Sequence, residues 1–146
     1  MKKFLFLLVF IPAFAFMGKT QTNVKLMDIG ITPVLNIDSL TGLPIDTTVV
    51  DINVSFKIKN IDQADKAYFL FGTVQDSSDV FSAQADIINS GGNYYLSYNG
   101  NQLAVNNYTA QSIIQLSAQQ DADYNYITLY VKDTAGQESS RLYLEK

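Results

Sequence analysis

The chain has 146 residues, 10 of them basic and 14 acidic, with no His, no Cys and no Trp. Those absences remove the parts for zinc sites of the usual kinds, for Ser-His-Asp triads and for thiol nucleophiles, and no disulfide can staple the fold. A net charge of −4 repels phosphate backbones and anionic lipid surfaces, which argues against nucleic acid and peripheral membranes as partners.

In chain order, residues 1–21 read as a cleavable signal peptide. Basic Lys2 and Lys3 precede an apolar stretch from Phe4 to Phe16, and Gly18, Lys19 and Thr20 form a polar exit. The apolar stretch wound as a helix spans about 20 Å, short of a roughly 30 Å hydrocarbon core, and Pro12 interrupts it. An export signal is expected, with no transmembrane segment left after its removal. Cleavage after Ala13-Phe14-Ala15 and cleavage near Gln21 both suit the pattern, and no Cys follows for lipid attachment. The product is expected to be secreted, periplasmic or held at the cell surface. Losing Lys2, Lys3 and Lys19 deepens its charge to about −7, or about −6 when the cut falls after Ala15 and Lys19 stays. All nine Tyr stay, whereas Phe4, Phe6, Phe10, Phe14 and Phe16 leave, so the domain is tyrosine-rich. Residues 22–146 have the length of one domain.

Asn23 to Ile31 and Val34 to Ile37 read as one edge strand broken at Pro33. Val50 to Lys59 alternates apolar and polar residues throughout, which predicts a strand with one wet face. Ala67 to Val74 is apolar on both faces and is expected to be central. Val80 to Ile88 places Phe81, Ala83, Ala85 and Ile87 on one face. Asn99-Gly100 supplies the positive φ angles of a two-residue type I′ hairpin, pairing Tyr98 with Asn101 and Leu96 with Leu103. Residues 111–117 alternate around Ile114 and Leu116, and Gln119 to Asp123 reads as a polar loop. In Tyr124 to Lys132, Ile127, Leu129 and Val131 oppose Tyr124, Tyr126, Thr128 and Tyr130. A turn at Asp133 to Gln137 leads to a last strand in which Leu142 and Leu144 alternate with Arg141, Tyr143 and Glu145. No segment shows a helical stripe. The fold class expected is all-β, an antiparallel sandwich of about seven to nine strands.

A kinked edge strand first, short strands at regular intervals, and the closing run Tyr126 to Ser139 resemble bacterial immunoglobulin-like and fibronectin type III-like domains. The resemblance is one of layout over residues 23–146, strongest in the last 25. It implies a β-sandwich and a tyrosine corner at the penultimate strand, filled by Tyr124 or Tyr126, whose hydroxyl bonds back to the backbone. The Cys pair and core Trp of antibody domains are absent. A fold of this kind implies no particular ligand.

Among residues that carry chemistry, Asp121, Asp123 and Asn125 alternate as a calcium loop begins, but Tyr126 and Lys132 stand where an EF-hand needs Gly and Glu. A looser inter-strand calcium site from Asp121, Asp123 and Asp133 competes with a plain polar loop; no other cofactor is expected. Tyr126, Tyr130 and Tyr143 are the ligand-binding candidates, an aromatic row able to stack on sugar rings or anchor a protein, with plain sheet stabilisation as the competing reading. Asp38-Ser39-Leu40, Asp46-Thr47-Thr48 and Asp133-Thr134-Ala135 resemble an O-glycosylation acceptor, and Asn53-Val54-Ser55 and Asn107-Tyr108-Thr109 fit the N-glycosylation pattern. The function expected is non-enzymatic: adhesion, assembly, or an accessory subunit of a cell-envelope complex, bound to a protein partner or glycan there. A small carbohydrate-binding module using the tyrosine face is the alternative.

Overall fold

The computed structural model describes residues 21–34, 37–43, 45 and 48–146; the expected signal peptide lies almost wholly outside them. Its strands are β1 (Lys25–Val34), β2 (Val49–Lys59), β3 (Ala64–Gly72), β4 (Phe81–Ser90), β5 (Asn93–Tyr98), β6 (Asn101–Ala104), β7 (Thr109–Ser117), β8 (Tyr126–Asp133) and β9 (Leu142–Glu145), with a short helix α1 (Ala118–Asp123). They form two sheets, one in the order β1-β2-β7 and one in the order β6-β5-β4-β3-β8-β9. All described pairings are antiparallel. No helix among the described residues is long and apolar enough to cross a membrane.

The period-two pattern of β2 explains the packing. Ile52, Val54, Phe56 and Ile58 are all buried, while Asp51, Asn53, Ser55 and Lys57 point away from the core. From the other sheet Phe69, Phe71, Ile127, Leu129 and Val131 meet them, and Phe56 touches Phe69 edge-on with ring centroids 6.1 Å apart. The Asn99-Gly100 hairpin forms as its residues dictate, with φ of 48° and 79° and Leu96 opposite Leu103.

Four local expectations are corrected. The irregularity of β1 is a bulge between Met27 and Gly30, where Asp28 adopts φ 53°; Pro33 stays in the ladder opposite Ile52, tolerated because β1 is an edge. Gln119 to Asp123 is helical. Ser117 accepts a hydrogen bond from the Gln120 amide at 3.1 Å and the Gln120 side chain accepts one from the Ser117 amide at 2.9 Å, a capping box that nucleates a turn too short to show an apolar stripe. Tyr124 lies before β8 rather than on its outer face, and its buried ring meets Phe71 edge-on at 5.2 Å.

The fourth concerns β8, whose outer face is not wet. Thr128 is 1% and Tyr130 9% exposed. The turn after β3 folds over this face, its Asp76 amide donating to the Thr128 hydroxyl at 3.0 Å, and the segment before β9 covers it from the other side.

Candidate functional site

The outer face of the six-stranded sheet carries a connected set of aromatic and charged groups, positioned by strand register. Tyr68 of β3 and Tyr130 of β8 are cross-strand partners, and their rings stack at 4.9 Å and 4°. On the β9 side the Arg141 guanidinium lies 4.6 Å from the Tyr130 ring centre, and Lys132 sits 5.1 Å from that of Tyr68. Arg141 also donates to Asp76 at 2.7 Å and to Glu138 at 3.1 Å, and Glu138 pairs with Lys132 at 3.6 Å. The Tyr143 hydroxyl donates to the second oxygen of Asp76 at 3.1 Å.

The electrostatics follow from these contacts. The Arg141 hydrogen bond, joined by that of Tyr143, holds the Asp76 carboxyl below its ordinary range against the opposing effect of burial. Asp76 in turn raises the Arg141 guanidinium. Burial raises the Tyr130 and Tyr143 phenols. Tyr126 stands apart from the network at the end of β8, opposite Glu145, whose charge raises its phenol. Tyr130 and Tyr143 are therefore joined through Arg141 and Asp76, and Tyr126 is not. The carboxyls of Asp38, Asp76, Asp79 and Asp133 are held below their ordinary range.

The carboxylates considered for calcium do not converge. Asp121 and Asp123 sit on α1, whereas Asp133 ends β8, seven residues beyond Tyr126 at about 3.3 Å per residue. Each is engaged locally: Asp121 by Lys146 at 3.1 Å, Asp123 by Gln119 at 2.7 Å, and Asp133 by the Ala135 and Gln137 amides at 2.9 and 2.8 Å. No cluster of three metal-ligating side chains occurs among the described residues. Of the modification patterns, Asn53 is in the middle of β2 with its side-chain oxygen buried and unpaired, while Asp46 and Thr47 lie outside the described residues.

Two further features lie at the ends of the sandwich, without a motif that marks them as sites. Between β1 and β2, Leu40 is 95% exposed, with Leu43, Ile45 and Ile37 also in solvent. This apex is held by Asp38, whose carboxylate accepts from the Leu40 and Thr41 amides at 2.8 Å each, while the Asp38 amide donates to the Leu43 carbonyl at 2.8 Å. At the opposite end, a cavity of about 380 Å³ is lined by Ile58, Ile61, Tyr94, Val105, Asn107 and Tyr108. Its rim is a tight turn in which Asn107 and Tyr108 have φ of 48° and 64°, pinned by a 2.8 Å bond from the Ile58 amide to the Tyr108 carbonyl. Positive φ is uncommon for a residue as bulky as tyrosine. The signal in the sequence was Asn106-Asn107, since asparagine tolerates this conformation.

Fold and surface together define an antiparallel two-sheet β-sandwich with apolar groups displayed at its ends. No protein family, no curated protein and no solved structure matches the chain.

Proposed function

We propose that the chain is an exported, non-enzymatic sandwich of immunoglobulin-like type whose role is contact, in adhesion, assembly or as an accessory subunit of a cell-envelope complex. Strand order supports the type. The arrangement β1-β2-β7 against β4-β3-β8-β9 corresponds to strands A-B-E against C′-C-F-G, with β5 and β6 extending the second sheet on its C′ side. The observation that carries the role is the Leu40 turn: a hydrogen-bonded loop holds a large aliphatic side chain almost wholly in water, and the packing of the domain itself does not account for it.

The test is partition with the envelope fraction of the producing cell. The wild-type protein is expected to co-sediment with it and Leu40→Asp to be released. Equal retention of the two, or hydrolysis of a glycan or peptide abolished by substituting an Asp, rejects the reading. Geometry disfavours the glycan-binding alternative, because Tyr130 is flanked by Tyr68 on one side and Arg141 on the other.

A further inference from the structure

We propose that this protein assembles head to tail with copies of itself, the Leu40 turn of one molecule seated in the Ile58–Tyr108 cavity of the next. The proposal rests on the contact reading above and names its partner. Three observations lead to it.

The first is complementary shape and polarity at the two ends. One end presents an aliphatic projection, and the other an open cavity walled by Ile58, Ile61, Val105 and two tyrosines. A molecule does not fill its own cavity: β2 runs from the loop at Val49 to the cavity at Ile58, a distance of about 30 Å at 3.3 Å per residue.

The second is charge. Lys25 and Lys59 face each other across β1 and β2 at the cavity end of their sheet, both exposed and neither in an ion pair among the described residues. Like charges directly opposite in an antiparallel pair repel, so this lysine pair favours a carboxylate from outside even though Asp62 follows the cavity-lining Ile61. The projecting end supplies one, since Asp38 is part of the turn that displays Leu40, and Asp79, Asp123 and Glu145 share that end with Asp76 and Asp121, which are paired with Arg141 and Lys146. The acidic end of one copy therefore approaches the lysine pair of another.

The third is strain. Tyr108 is 63% exposed yet held at φ 64°, in a conformation costly for its side chain, so the rim of the cavity is fixed before anything binds. Because the two surfaces differ and lie at opposite ends, the contact is heterologous and propagates as an open chain instead of closing as a pair.

Sedimentation of the purified protein across a concentration series tests this with two variants that spare the core. Leu40→Asp removes the projection from a fully exposed site. Tyr108→Asp places a carboxylate on the cavity rim, and aspartate adopts positive φ more readily than tyrosine, so folding is retained and circular dichroism checks it. The wild type is expected to grow beyond monomer with concentration and to dissociate with salt, each variant to stay monomeric, and an equimolar mixture of the two to form a one-to-one dimer and nothing larger. The dimer arises because the first variant keeps its cavity and the second its projection. A wild type monomeric throughout, variants that assemble as it does, or a mixture that yields no dimer overturns the proposal. If the wild type is monomeric but its envelope partition still depends on Leu40, self-assembly fails and the contact reading stands.

Discussion

Truncation of Phe56 probes the contact between the two sheets. Its ring is 1% exposed and meets Phe69, from the facing sheet, at 6.1 Å and 65°. Phe56→Ala is expected to cost about 3–5 kcal/mol, from lost transfer free energy and the cavity left behind. Of this, the edge-on ring pair accounts for about 0.5–1.5 kcal/mol. Against a total stability on the order of 5–15 kcal/mol, the variant remains folded but loses on the order of 10–20 °C in Tm. The assay is urea unfolding followed by far-ultraviolet circular dichroism and tyrosine fluorescence, the chain having no Trp. A double-mutant cycle with Phe69→Ala is expected to return a coupling of about 1 kcal/mol. A loss under 1 kcal/mol for the single variant, or strict additivity of the two, would show that the sheets do not meet through these rings.

Gly100→Ala is expected to lower stability by about 1 kcal/mol, because position 100 has φ 79° and alanine is strained there; an unchanged urea midpoint would contradict the type I′ turn. Ultraviolet titration should reveal a last phenol ionising beyond the raised Tyr126, Tyr130 and Tyr143, since burial, aided by the charge of Asp121, pushes Tyr124 up to about 12. The folded state favours the neutral phenol, so this contribution is complete below the ordinary tyrosine value and is lost as pH rises towards 12; Tyr124→Phe should delete the late phase. At the acid end, hydrogen bonds from Ser77 and Thr73 lower Asp79 to about 2, so its contribution is present at neutral pH and is lost as pH falls from the ordinary aspartate range through that value. Asp79→Asn should flatten that limb of the stability profile; an unaltered limb would reject the assignment.

The parts of the fold that were legible are those decided by neighbours in sequence. Alternation through Val50–Lys59 reflects a strand with one face on a core, and Asn99-Gly100 allows few other turns, so its register followed. What was illegible depends on distant segments. The outer positions of β8 read as solvent-facing because Thr128 and Tyr130 alternate with Leu129, and nothing nearby announces that Asp76 and Arg141, from opposite directions along the chain, cover them. Tyr124 fits the alternating pattern as well as Tyr126 does, but the capping box at Ser117 winds the preceding residues into a helix and turns that ring inward. The Asp28 bulge was overshadowed by Pro33, a stronger local signal that an edge strand can absorb. Neither end feature has a motif: the cavity is assembled from β2, β5 and the segments beside them, and the exposure of Leu40 depends on what fails to pack against it.

Exposed aromatic rows bind ligands, yet Tyr126, Tyr130 and Tyr143 each have partners within the domain. On the other sheet two outward side chains of β2 are also engaged, Lys57 with Asp28 at 2.7 Å and Asp51 with Gln115 at 3.1 Å. A partner approaching either face would have to compete with hydrogen bonds and ion pairs already made, gaining little for each one displaced. At the ends, burying Leu40 removes apolar surface from water at a side chain with almost no internal contact to break, and a carboxylate near Lys25 and Lys59 relieves a repulsion. Binding free energy is therefore available along the long axis of the sandwich and scarce across it, so substitutions at Leu40 and Tyr108 should weaken association more than substitutions at Tyr126 or Tyr143.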